Sequence, residues 1–206
     1  MIINKTPFRI SFFGGGTDYP SWFRQNKGAV LSTTINKYCY ITLRMLPPFF
    51  KHKHHIVYSK DEKVNKLDHI KHPAVKEIFK YMKVKDGLEL HYDADLPARS
   101  GLGSSSAFSV GLLKSIYSLY GRSISKKSLA ELAIHIEQNL IRENVGSQDQ
   151  IAASYGGLNK IQFYQDGTFK VKDIELSKNR YDELQDHILF FYTGITRIAS
   201  KIAKEQ

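Results

Sequence analysis

An arginine inside an apolar stretch, a few carboxylates and one glycine–serine run are the residues here whose types and spacing could do chemistry. Residues 97–107 read Pro-Ala-Arg-Ser-Gly-Leu-Gly-Ser-Ser-Ser-Ala and lead straight into an apolar helical pattern. Gly101 and Gly103 allow close backbone approach to a ligand, or a positive φ that a Cβ would resist. Ser104, Ser105 and Ser106 can cap the following helix and offer hydroxyls to an anion or a metal. A helix N-terminus also attracts phosphate. The run therefore reads either as a phosphate cradle or as an ordinary loop end. It has neither the Gly-Lys-Ser/Thr of a Walker loop nor Gly-x-Gly-x-x-Gly spacing.

Two further stretches carry polar groups. In Thr6-Pro-Phe-Arg-Ile-Ser-Phe-Phe-Gly-Gly-Gly-Thr-Asp18, an apolar strand pattern ends in three glycines. Arg9 sits inside that pattern, where an unpaired charge is costly, so an anionic partner is expected. That partner is either a ligand or a structural ion pair. Asp18 is either a carboxylate suited to sugar hydroxyls or a cap. In the stretch 136–150, Glu137 borders an apolar helix face and reads first as its solvated edge. Asp149 lies between Gln148 and Gln150, after Gly146 and before an apolar helix start, as an N-terminal carboxylate would.

The elements that must position these residues follow from periodicity. Phe8–Phe13, Gly28–Ile35, Lys37–Arg44, Ile56–Ser59 and Leu88–Asp93 read as strands. His72–Lys83, Ser106–Tyr120 and Ser125–Arg142 read as helices, from apolar residues at helical spacing. Leu158–Phe163 and Phe169–Ile174 flank Asp166-Gly167, a type I′ hairpin signal. His187–Tyr192 reads as a strand and Thr193–Gln206 as a helix. The class is α+β.

At 206 residues, with 42% hydrophobic and 12% aromatic content, the chain can bury a sizeable core and is not compositionally disordered. Its N-terminus lacks a signal-peptide pattern, no run could span a bilayer, and Cys39 is the single cysteine. A cytoplasmic protein without disulfides or a cysteine-based zinc site is expected. The net charge of +10 suits phosphorylated small molecules, nucleic acid or an acidic surface. Lysines are scattered and no nucleic-acid-binding signature appears, so nucleic acid is not the expected partner. His52, His54 and His55 could bind a transition metal, but without a companion cysteine or acidic motif they read as an exposed loop.

Together the segments resemble the GHMP kinases, the family named for galactokinase, homoserine kinase, mevalonate kinase and phosphomevalonate kinase. Pro7–Asp18 resembles the family's first motif, and Pro97–Ser105 matches its second, Pro-x-x-x-Gly-Leu-Gly-Ser-Ser. The interval from Glu137 to Asp149 is that of galactokinase-like members. Gly15-Gly16 stands where galactokinases carry Glu-His, and this variant is similar to the D-glycero-D-manno-heptose 7-phosphate kinases, with L-fucose kinases as the rival. The resemblance implies an N-terminal domain over 1–180, built as a mixed sheet with helices and a left-handed βαβ unit. Residues 181–206 would begin a second, incomplete α/β domain, because nothing after Gly157 matches the family's third, glycine-rich motif.

The resemblance also implies ATP-dependent phosphorylation of a sugar hydroxyl, at the anomeric position of a heptose 7-phosphate. ATP would lie on Pro97, Gly101, Leu102, Gly103, Ser104, Ser105 and Ser106, and Mg²⁺ on Ser105 and Glu137. Asp149 would act as general base with Arg9 beside it, and Gly15, Gly16, Thr17 and Asp18 would hold the sugar. A shortened kinase-like ligand sensor is the alternative, and a homodimer is left open.

Overall fold

The computed structural model describes residues 1–97 and 100–191. Seven strands form one mixed sheet: β1 (Ile2–Phe13), β2 (Gly28–Met45), β3 (His54–Val57), β4 (Asp61–Val64), β5 (Leu88–Ala94), β6 (Leu158–Phe163) and β7 (Phe169–Asp173). The helices are α1 (Pro20–Asn26), α2 (Pro73–Tyr81), α3 (Ser104–Leu119), α4 (Lys126–Ile134), α5 (Gln148–Tyr155) and α6 (Lys178–Asp186). A π-helical segment, His135–Ile141, extends α4. This is the α+β arrangement expected from the sequence.

The long strand β2 organises the sheet. Its C-terminal half pairs with β5 and its N-terminal half with β6, while β1 runs antiparallel to both halves. Two strands were expected over 28–44, but Ile35, Asn36 and Lys37 continue the extended chain without a turn. β5 leaves β2 at Cys39 and β6 joins it at Thr33, so residues 34–38 of β2 mark a gap. Asp95 N–H bonds Tyr38 O at one side of that gap, and Thr34 N–H bonds Gly157 O, after α5, at the other.

β3 and β5 are parallel and are joined through β4 and α2, a βαβ connection. Alternation along β3 buries His54 and Ile56 and turns His55 to the opposite face. The expected exposed histidine loop is thus corrected: His54 lies in the core against Phe79, with ring centroids 5.7 Å apart. Burial pulls its imidazole down to about 4.

The main core lies between the sheet and α2, α3 and the α4 extension, centred on Phe8, Ile41, Leu43, Leu90, Phe79, Leu113 and Ile136. A smaller cluster joins α1, α4 and α5 to β2 and β6, where Phe23 stacks on Phe163 at 5.4 Å. α3 packs closest to β1 at Gly111, where an added Cβ would lie 2.7 Å from Thr6 Oγ1 and 3.1 Å from Ile41 Cδ1. Gly111→Val is therefore expected to lower unfolding free energy by about 1–3 kcal/mol, read from the urea midpoint at unchanged m-value.

Other differences are local. The β6–β7 hairpin forms, but Gly167 alone of the Asp166-Gly167 pair has positive φ, and Tyr164 N–H bonds Thr168 O across a five-residue connection. A type I′ turn would need both residues at positive φ. The expected strand at His187–Tyr192 is not formed over 187–191, and residues 192–206, with the expected helix, lie outside the described residues. No helix among the described residues is long and apolar enough to cross a membrane.

Candidate active site

The ladder between β1 and β2 shifts register between Pro7 and Arg9. A proline has no N–H to give a ladder. Past the shift, Arg9 donates its backbone N–H to Leu102 O at 3.1 Å, tying β1 to the glycine–serine loop. Its side chain finishes the join. Arg9 Nε and NH2 both reach Asp149 Oδ1, at 2.7 and 2.5 Å, and NH1 donates to Gly101 O at 2.8 Å. The anionic partner that Arg9 demanded is Asp149, 140 residues away.

The loop meets this pair directly. Gly101 and Gly103 adopt φ of +79° and +73°, and Gly103 caps α3 in the left-handed conformation. A Cβ on Gly103 would stand 3.2 Å from Asp149 Oδ2 and 3.4 Å from Arg9 Cγ. Glycine there is a matter of both conformation and space. The first intrahelical bond of α3 runs from Ala107 N–H to Gly103 O, so the amides ahead of it point out of the helix end. Leu102 is buried in the core, whereas Gly101, Ser105 and Pro97 are exposed. Asp149 occupies the first turn of α5, where the helix dipole favours a carboxylate. Among the described residues no hydrogen bond reaches its Oδ2.

Glu137 is placed by the π-helical segment. Single π insertions in α-helices recur at functional sites, because they re-aim side chains. Here Glu137 falls inside the stripe of Leu129, Ala130, Ala133 and Ile136 rather than at its edge, and it is 1% exposed. The segment ends at Arg142, at φ +62°, with Glu143 N–H bonding Glu137 O. Ser106 Oγ and Gln150 Nε2 both donate to Glu137 Oε2, at 2.8 and 2.5 Å. Among the described residues, Glu137 Oε1, Gln148 Oε1 and Gln150 Oε1 are buried acceptors with no donor. Burial pushes the Glu137 carboxyl up to about 7 despite the hydroxyls of Ser109 and Ser106 and the Gln150 amide. An oxygen-only donor set holding a buried, reluctant carboxylate fits a hard divalent cation, which would favour the ionised form. Ser106 rather than Ser105 brings its hydroxyl to Glu137; Ser105 contributes its carbonyl, to Ser109 Oγ at 3.3 Å.

The first glycine-rich loop lies beside Asp149. Gly15 and Gly16 are exposed. Thr17 Oγ1 donates to Gly14 O at 2.7 Å and accepts from Ala29 N–H at 3.1 Å, so its hydroxyl stitches the loop to β2. Asp18 is 0% exposed and accepts from Gly16 N–H, Gln148 N–H and Gln148 Nε2 at 3.1–3.2 Å. Burial raises its carboxyl, the Gln148 amide opposes, and the nearby Asp149 charge raises it further. Burial raises the Tyr19 phenol, and the Asp18 and Asp149 charges raise it further. A Cβ at Gly146 would fall 1.9 Å from Asp18 Oδ2. Gly146→Ala must therefore displace Asp18, and is expected to cost about 1–2 kcal/mol in thermal unfolding.

Ser109, Gly146, Gln148, Gln150 and Tyr19 are the contributors to this geometry whose roles the sequence pattern did not show; Ser106 was expected at the phosphates and is found against Glu137. The signal nearest to them was the pair of glutamines flanking Asp149.

These elements bring a glycine-capped helix start, an arginine–carboxylate pair and a buried carboxylate to one region. The model of the GHMP kinases N terminal domain matches residues 68–157. The D-glycero-alpha-D-manno-heptose 7-phosphate kinase of Campylobacter jejuni is 29% identical over 100% of this chain and 63% of its own length. A galactokinase of Pyrococcus furiosus is 28% identical over 94% of this chain and 53% of its own length. The fold is shared with a D-glycero-D-manno-heptose 1-phosphate kinase crystal structure from Bacteroides thetaiotaomicron. That TM-score is 0.81 at 24% identity, over 89% of this chain and 63% of the other. The chain thus spans less than two thirds of the relatives it matches.

Proposed function

We propose that this chain forms the nucleotide-binding part of an ATP-dependent sugar kinase that phosphorylates a heptose 7-phosphate at its anomeric hydroxyl. The single observation that carries the reading is the Arg9–Asp149 pair held against Gly103, at the mouth of the loop that opens α3. Arg9 occupies Asp149 Oδ1 and leaves Oδ2 to take a proton. The sugar oxygen attacks the γ-phosphorus of ATP, the bond to the bridging β-oxygen breaks, and the hydroxyl proton passes to Asp149. Arg9 counters charge on the phosphoryl group in flight. Amides at the start of α3 cradle the nucleotide phosphates.

Glu137, with Ser106 or Ser105, would hold Mg²⁺, which when bound neutralises phosphate charge. Gly15 and Gly16 offer backbone to the sugar, with Thr17 shaping their loop and Asp18 reaching the hydroxyls once Gln148 Nε2 lets go. The net charge of +10 fits a substrate that already carries phosphate. Residues 181–206 would open a second domain.

The test is a kinase panel with ATP and Mg²⁺ against heptose 7-phosphate, galactose and L-fucose, with product position read by ³¹P NMR. Heptose 1,7-bisphosphate is the expected product. Preferred turnover of L-fucose or galactose would overturn the heptose reading. ATP binding without transfer to any sugar would point to a ligand-binding module instead.

A further inference from the structure

The sheet face turned away from the helices carries a second polar cluster, remote in sequence from the glycine–serine loop. On β5, Leu88 and Leu90 enter the core, so Glu89 and His91 face the other way. On the neighbouring parallel strand β3, His55 pairs in register with Glu89. His55 Nδ1 lies 3.5 Å and His91 Nε2 2.8 Å from Glu89 Oε1, and ligand atoms of all three lie within 4.8 Å of one another. A tetrahedral Zn²⁺ with bonds of about 2.0–2.1 Å places its ligand atoms roughly 3.3 Å apart. The two separations, 3.5 and 2.8 Å, bracket that value.

An independent feature points the same way. His55 Nε2 lies 3.0 Å from Asp61 Oδ1 on β4. That carboxylate requires the proton on Nε2, so Nδ1 turns a lone pair towards the Glu89 carboxylate. Two acceptors facing each other at 3.5 Å need a cation or a proton between them. A carboxylate behind a ligating imidazole is also the usual support of such ligands, and it sets their tautomer. Arg44 pairs with Glu89 Oε2, which orients the carboxylate and leaves Oε1 to the cluster. Lys63 Nζ lies 3.7 Å from Asp61 Oδ2, on the carboxylate edge away from His55. The His52 ring is 5.5 Å from that of His55.

We propose that His55, Glu89 and His91 form a site for a divalent transition metal of the Zn²⁺/Co²⁺ class, positioned by Asp61 and separate from the Glu137 region. Two imidazoles and one carboxylate select these ions over Mg²⁺ and Ca²⁺. The bound ion would clamp β3 to β5.

The test is titration of the metal-stripped chain with Co²⁺, followed by visible d–d absorption, with Zn²⁺ as competitor and excess Mg²⁺ present. One equivalent of tetrahedral Co²⁺, displaced by Zn²⁺ and not by Mg²⁺, is expected. Zn²⁺ at a hundredfold excess over its Kd should raise Tm by about 5–10 °C. His55→Ala and His91→Ala should abolish the spectrum. Asp61→Asn, an exposed change that spares the fold, should weaken binding about 10–100-fold. Absence of stoichiometric binding, or binding unchanged in all three variants, overturns the assignment.

Discussion

Asp149→Asn is expected to lower the turnover number for phosphoryl transfer by about 10²–10⁴-fold while nucleotide affinity stays within a few-fold. Asparagine keeps the shape and can still accept from Arg9, so the join between β1, the glycine–serine loop and α5 should survive. What it loses is an oxygen able to take the hydroxyl proton. The loss should therefore fall on kcat, with the KM for ATP little moved. Arg9→Lys is a useful companion. One ammonium cannot reach Asp149 Oδ1 through two nitrogens and Gly101 O through a third, so both the loop and the carboxylate would loosen. Steady-state kinetics with nucleotide binding measured separately checks both variants. Near-normal kcat in Asp149→Asn would remove the general-base role.

The second large effect is electrostatic and needs no substrate. Folded Glu137 holds its proton to about pH 7, whereas the unfolded chain releases it near the ordinary 4.5. The unfolded state therefore binds fewer protons between those values, and stability falls as pH rises from 4.5 to 7, by about 3 kcal/mol from this group. Below 4.5 and above 7 its contribution is flat. Glu137→Gln mimics the protonated acid, so without divalent cations it should exceed the parent chain by about 3 kcal/mol at pH 8 and converge with it below pH 4.5. Asp18 and Glu143, also raised by burial, tilt the parent curve the same way.

His54 tilts it oppositely. Its imidazole is depressed to about 4, so its stabilising contribution is present above 6.5 and is lost as pH falls towards 4. The difference between parent and variant isolates Glu137. Mg²⁺ should stabilise the parent at pH 8 and leave the variant unmoved. Urea titrations at several pH values, with and without Mg²⁺, provide the check. A pH-independent difference would mean that Glu137 is not held protonated by its surroundings.

Much of the site was legible one residue at a time. A charge within an apolar strand demanded an anion, so an acidic partner for Arg9 followed from desolvation cost alone. Gly101 and Gly103 announced a backbone that L side chains resist, and both adopt it. Asp149 announced a helix start and stands there. Glu137 was harder, because its place depends on a π-helical insertion, and no local period distinguishes a π turn from an α turn. The turn between β6 and β7 was misjudged for a similar reason. Asp-Gly fits more than one turn type, and strand length decided among them.

The amino-acid sequence by itself determined much of the strand and helix content, the core-facing alternation and the residue types available for phosphate, metal and proton transfer. Those properties depend on neighbours within a few positions, where periodicity and backbone preference act. Only the tertiary structure decided which groups meet: Arg9 with Asp149, Ser106 and Gln150 with Glu137, Asp18 with Gly146, and His55 with Glu89 and His91. The reason is register. A strand shifted by one residue turns its whole polar set to the other face. The parallel pairing of β3 with β5 across the β4–α2 connection is set by core packing rather than by any signal in either strand.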